Sequence, residues 1–97
     1  MEGKAKEEML KWLSANYPLG WKAMEMGGLR PSFQNTLIIE WLDSVGIHIT
    51  VSYWILAKKW QDIILGMYNG SFKYDTRQEA TEAAIKKAVE IYNEKYK

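Results

Sequence analysis

An α+β fold is predicted for this 97-residue chain: an N-terminal helix, then helix, three-stranded antiparallel sheet and helix, with the helices packed on one face of the sheet. Three observations predict it. Ile47, Ile49, Val51 and Tyr53 alternate with His48, Thr50, Ser52 and Trp54, the period of two of a strand with one buried face. Asn69-Gly70 follows a second apolar run, and that dipeptide suits a type I′ hairpin turn, which needs positive φ at both positions. From about Thr76 to Lys97, Ala80, Ala84, Ile85, Ala88, Val89, Ile91, Tyr92 and Tyr96 fill one half of a helical wheel, and charged residues fill the other.

The spacing predicts one domain over 1–97, opening with a helix over 1–17. Met9, Leu10, Leu13 and Tyr17 recur on one side of that helix, and Pro18 with Gly20 is expected to stop it. The segment 18–31 is ambiguous: Trp21 to Met26 reads either as a short edge strand or as irregular structure laid over the core, ended by a turn at Gly27-Gly28. A second helix is predicted over 32–45, with Ser32 as its N-cap and Gly46 as its left-handed C-cap. Leu37, Ile38, Trp41, Leu42 and Val45 form its apolar face.

The strands are predicted within 47–74. Polarity places the first connection at Ala57-Lys58-Lys59. The second strand is expected from Trp60 to Tyr68, with Gln61, Ile63, Leu65 and Met67 on one face. A short third strand, Ser71 to Tyr74, is expected to carry Phe72 and Tyr74 on one side. The last helix, over 76–97, opens on Thr76-x-x-Glu79, the pattern of a capping box.

Composition narrows the function classes. An apolar share of 47%, with five Trp and six Tyr, supplies a core and argues against disorder. The net charge is +1, and it is spread evenly: five basic and four acidic residues over 1–31, three and four over 32–75, five and four over 76–97. No segment forms the basic field that sequence-independent nucleic-acid binding uses. There is no Cys, which excludes disulfides, Cys-ligated zinc and thiol chemistry. The start Met-Glu-Gly-Lys-Ala-Lys-Glu-Glu has no apolar signal core, and no apolar run reaches the roughly 18 residues of a membrane span. A cytoplasmic location is the expectation.

Candidate chemistry is sparse. His48 is the single histidine and lies on the polar phase of a strand, without a Ser, Cys or acidic partner at a motif spacing. Glu40, Asp43, Asp62 and Asp75 fall in different elements and read as solvated surface charge. Gly27-Gly28 belongs to neither a P-loop nor a dinucleotide fingerprint. The residues therefore point to no catalytic, cofactor-binding or metal site. What stands out is Tyr53-Trp54-Ile55-Leu56-Ala57-Lys58-Lys59-Trp60, where aromatics meet two lysines. Trp54, Lys58, Lys59 and Trp60, together with Arg77, form the candidate interaction surface.

Four blocks carry a resemblance: Pro31-Ser32-Phe33-Gln34, Ile39-Glu40-Trp41-Leu42, Gly46-Ile47-His48-Ile49-Thr50-Val51, and Tyr74-Asp75-Thr76-Arg77-Gln78-Glu79-Ala80-Thr81-Glu82-Ala83-Ala84-Ile85. They look like a group of small proteins without assigned activity from Bacteroides-type bacteria, their phages and mobile elements. The resemblance implies such an origin and supplies no catalytic residues. The predicted topology is also similar to the double-stranded-RNA-binding domain and to its partial version in HicB-type antitoxins. Those RNA binders display a lysine cluster at the start of the last helix. Here that position reads Thr76-Arg77-Gln78-Glu79, with one basic residue and one acid. The expectation is a non-enzymatic protein acting on a protein partner, a second copy of itself being one candidate. Nucleic acid is the less favoured alternative.

Overall fold

A computed structural model describes residues 3–25, 27 and 30–96. The element order is α1 (Gly3–Asn16), α2 (Pro18–Glu25), α3 (Pro31–Ser44), β1 (Ile49–Trp54), β2 (Lys59–Ile64), β3 (Tyr68–Tyr74) and α4 (Arg77–Lys95). The strands form one antiparallel sheet in the order β1-β2-β3, and α4 lies across β1 and β2. The α+β reading with an N-terminal helix therefore holds.

The segment after α1 differs from the expectation. As far as Glu25 it is helical, neither a strand nor irregular, and Met26 lies outside the described residues. Pro18 breaks α1 because it has no N–H to donate. Its fixed φ then suits the first position of a new helix, so the chain turns and continues. Gly20 gives α2 room: a Cβ there would sit 3.4 Å from Leu37 Cδ1. Gly27 lies in a turn, and Gly28 is outside the described residues.

The N-cap of α3 is Arg30 rather than Ser32, with Pro31 at the first helical position and no side-chain cap bond. Proline at that site moves the helix start two residues earlier than a serine cap at 32 would. The C-terminus matches the expectation. Gly46 takes φ +83°, its N–H donates to Asp43 O at 3.2 Å, and Ile47 N–H donates to Leu42 O at 2.9 Å. These two bonds are the Schellman pattern, which satisfies carbonyls the helix end would orphan.

Both hairpin turns move. The β1–β2 connection is Ile55 to Lys58, because Trp54 already pairs with Lys59. Lys58 closes it with φ +55° and donates its N–H to Trp54 O at 2.8 Å. The β2–β3 turn is Leu65-Gly66-Met67, not Asn69-Gly70. Gly66 supplies the positive φ, +76°, and Met67 N–H donates to Ile64 O at 3.0 Å. Asn69 and Gly70 lie inside β3, which is longer than expected. Within β2, Asp62 and Ile64 are the buried residues, and Gln61 and Ile63 share the other face. Two register shifts in the β2–β3 pairing leave their extra residues on β3. Phe72 and Tyr74 therefore pair with Gln61 and Trp60, neighbours that point to opposite faces, instead of sharing one side.

The core lies between the helices and one face of the sheet. Ala5, Met9 and Leu13 of α1 meet Leu37, Trp41 and Leu42 of α3, Ile64 of β2, and Ile85, Ala88, Val89 and Tyr92 of α4. Trp41 packs edge-on against Tyr92 with ring centroids 4.9 Å apart, a geometry worth roughly 0.5–1.5 kcal/mol beyond burial. Small side chains at Ala80, Ala84 and Ala88 are fully buried and allow α4 its close seat. Thr76 caps α4, its hydroxyl accepting from Glu79 N–H at 3.1 Å.

Candidate interaction surface

Strand pairing divides the sheet's side chains into two sets. Residues directly opposite in an antiparallel pair share a face. Ile49–Ile64, Val51–Asp62 and Tyr53–Trp60 form the set that contains the buried residues beneath α4. Thr50–Ile63, Ser52–Gln61 and Trp54–Lys59 form the other, and no described helix packs on it.

The five sequence-predicted residues are split by this parity. Trp54 is on the uncovered face, 50% exposed, with its ring edge-to-face against Phe72 at 5.6 Å. Trp60 is on the helix-facing side, half-buried, its ring 4.8 Å from Tyr53 and covered by the Arg77 guanidinium at 4.9 Å. Lys59 is paired with Asp75, whose carboxylate raises its pKa above the ordinary lysine value by hydrogen bonding and charge. Lys58 is exposed at the hairpin tip. Arg77 and Lys59 thus each have a partner within the fold, and the two tryptophans do not make one platform.

The structure adds residues beyond those five. Phe72, 37% exposed, completes the aromatic pair with Trp54. Ile63 and Gln61 lie beside it on the same face. Ile55 and Leu56 stand out at the tip, 75% and 86% exposed. The signal for them was present: four consecutive non-polar residues, Tyr53 to Leu56, end a strand. Between Ile47 and Tyr74 the charged residues are Lys58, Lys59, Asp62 and Lys73, and Asp62 is buried. The uncovered face therefore has an aromatic, charge-poor centre and lysines near its end.

His48 has an acidic partner after all. The Schellman turn brings Asp43 Oδ1 to 2.8 Å from His48 Nδ1. Both side chains are about half exposed, so the pair is a surface contact of small energetic weight. Among the described residues, no three His, Cys, Asp or Glu side chains gather as a metal-binding set, and no helix is long and apolar enough to cross a membrane.

Two of the hollows beside α3 bear on the site. One, of about 570 Å³, lies between Tyr17, Leu19 and Gly20 on one side and Phe33, Leu37 and Glu40 on the other. Tyr17 donates its hydroxyl to Glu40 across it, which raises the phenol pKa. The second, of about 300 Å³, lies between the first half of α3 and the start of α4.

Comparison with family models, with curated proteins and with solved structures finds no match.

Proposed function

We propose that this chain is a non-enzymatic binding module that engages a protein partner through its uncovered sheet face. The observation that carries the reading is the Trp54–Phe72 pair, exposed on the side of the sheet opposite α4 and continued by Ile55 and Leu56 at the tip. Protein interfaces concentrate aromatic anchors in a charge-depleted centre with a polar rim. Thr50, Ser52 and Gln61 supply hydrogen-bonding groups around that centre, and lysines border it. An origin in phages or mobile elements of Bacteroides-type bacteria belongs to the same proposal and rests on the four sequence blocks given above.

A photo-crosslinking amino acid at position 54 tests the reading in cells that make the protein. A discrete adduct, absent with the same probe at the outward-facing position 86 and lost with Leu56→Ser, supports it. Equal labelling at both positions, or none at 54, refutes it.

A second reading is favoured by one observation: the exposed charges of the sheet segment are all lysines, next to an aromatic pair. Single-stranded nucleic acid binds such surfaces by stacking and by backbone neutralisation. Fluorescence anisotropy with labelled single-stranded and duplex oligonucleotides at low salt decides it. Binding that weakens steeply with salt and with Trp54→Ser supports nucleic acid over protein.

A further inference from the structure

The outer edge of β1 is unprotected. Leu65 N–H donates to His48 O at 2.8 Å, which fixes the phase of the ladder. Alternate residues of a strand turn both backbone groups toward the same neighbour. Thr50, Ser52 and Trp54 therefore address β2, while Ile49, Val51 and Tyr53 turn their N–H and C=O groups outward. No hydrogen bond to those outward groups occurs among the described residues. The strand Ile49–Trp54 contains no charge, no proline and no bulge, the devices that ordinarily blunt an edge.

Helix α3 roofs the space beside that edge. It packs on the β1 side of α4, through Trp41 against Tyr92 and Asn35 to Glu82. The opposite flank of α4 carries Lys87 over Tyr68 of β3. Packed helices lie about 8–10 Å apart, and strands about 4.8 Å. With α4 over β1 and β2, α3 therefore stands above the first strand position outside β1. A second copy pairing edge to edge would bring its own α3 into the same space.

The 300 Å³ hollow lies between the same two helices, α3 and α4. It is lined by Asn35, Thr36 and Ile39 of α3 and by Arg77, Gln78 and Thr81 of α4. Arg77 also lies over Trp60, whose ring abuts Tyr53 on the open edge. The lining holds one cation and no carboxylate. Glu82, one residue beyond Thr81, is already held by Asn35 and Gln78.

We propose that the β1 edge takes one extended segment of another polypeptide as a fourth strand, and that an Asp or Glu of that segment enters the hollow beside Arg77. Main-chain bonds to Ile49, Val51 and Tyr53 supply the affinity, and the hollow supplies side-chain selection. This goes beyond the uncovered face, and that reading does not depend on it.

The test uses a synthetic library of eight-residue peptides, in which Thr alternates with a randomised residue, selected on the immobilised full chain. Enriched peptides are expected to carry Asp or Glu at one randomised position. Their affinity is expected to fall at least tenfold on Val51→Pro, a change that removes an outward N–H and no internal hydrogen bond. Arg77→Gln is expected to erase the preference for acid over amide. Should Val51→Pro fail to fold, N-methylated peptides decide alone: methylation of the amides facing β1 abolishes binding, and methylation of the alternate ones does not. No enrichment, or binding indifferent to N-methylation, overturns the strand assignment. Enrichment without an acidic position overturns the role of the hollow.

Discussion

The carboxylate of Asp62 occupies the space that a side chain at residue 70 would fill. A Cβ built on Gly70 falls far inside van der Waals contact distance of Asp62 Oδ1. Asp62 is 2% exposed, and Oδ1 has no hydrogen-bond partner. Gly70 O accepts instead from Gln61 Nε2, at 2.8 Å.

Gly70→Ala is therefore expected to destabilise the fold by about 1–3 kcal/mol, as overpacking does. Asp62→Ala removes a buried oxygen without a partner, so it is expected to be neutral or to stabilise by about 1 kcal/mol. In Asp62→Ala, Gly70→Ala becomes tolerable. Urea unfolding of the two single variants and the double variant measures the coupling. Additive effects would disprove the steric account.

Thr76→Ala is expected to cost about 1 kcal/mol, through loss of the bond that Glu79 N–H makes to the hydroxyl. Thr76→Ser is expected to retain most of it. Thermal unfolding followed by circular dichroism ranks the three proteins.

Trp41→Ala is expected to cost about 3–5 kcal/mol, the range for emptying an aromatic site in a packed core. Trp41→Phe, which keeps a ring against Tyr92, is expected to cost distinctly less. Equal losses would mean that the indole's volume, rather than its contact with Tyr92, decides the site.

Alkaline pH tests the link between the α1–α2 corner and α3. Glu40 raises the Tyr17 pKa above 10.0, first by accepting its hydrogen bond and then by its charge. A raised pKa favours the protonated phenol in the folded state. The contribution to stability is therefore complete below the unfolded pKa and is lost as pH rises through the folded one. In Glu40→Gln the Tyr17 titration, read by NMR on its ring carbons, is expected to move back toward 10.0.

The closing helix was legible in the sequence because three signals coincide: a capping pattern at Thr76, an apolar half-wheel, and an alanine series that permits close packing. The sheet was legible as three strands but not in detail. Asn69-Gly70 and Gly66 are competing turn signals, and only the packing of Asp62 shows that Gly70 serves a close approach instead of a turn. The Pro18–Gly20 pair reads as a stop, yet proline at a first helical position also starts a helix. In the candidate surface, the sequence left strand parity open. Trp54 and Trp60 are six residues apart, and the length of the turn between them decides whether they share a face. A four-residue turn from Ile55 to Lys58 separates them. The pairing of His48 with Asp43 was hidden for a similar reason, since it is made by the turn at Gly46 and not by either element alone.

The two borders of the sheet are unlike, and this bears on how large any assembly can grow. End-to-end polymerisation by strand pairing needs two receptive borders on every molecule, one for each neighbour. Here β3 carries both irregularities of the sheet together with Lys73, and such a border resists pairing. Strand addition at β1 therefore ends after one step. The product would be a closed particle of fixed stoichiometry, and raising the concentration would fill it without lengthening it into a filament.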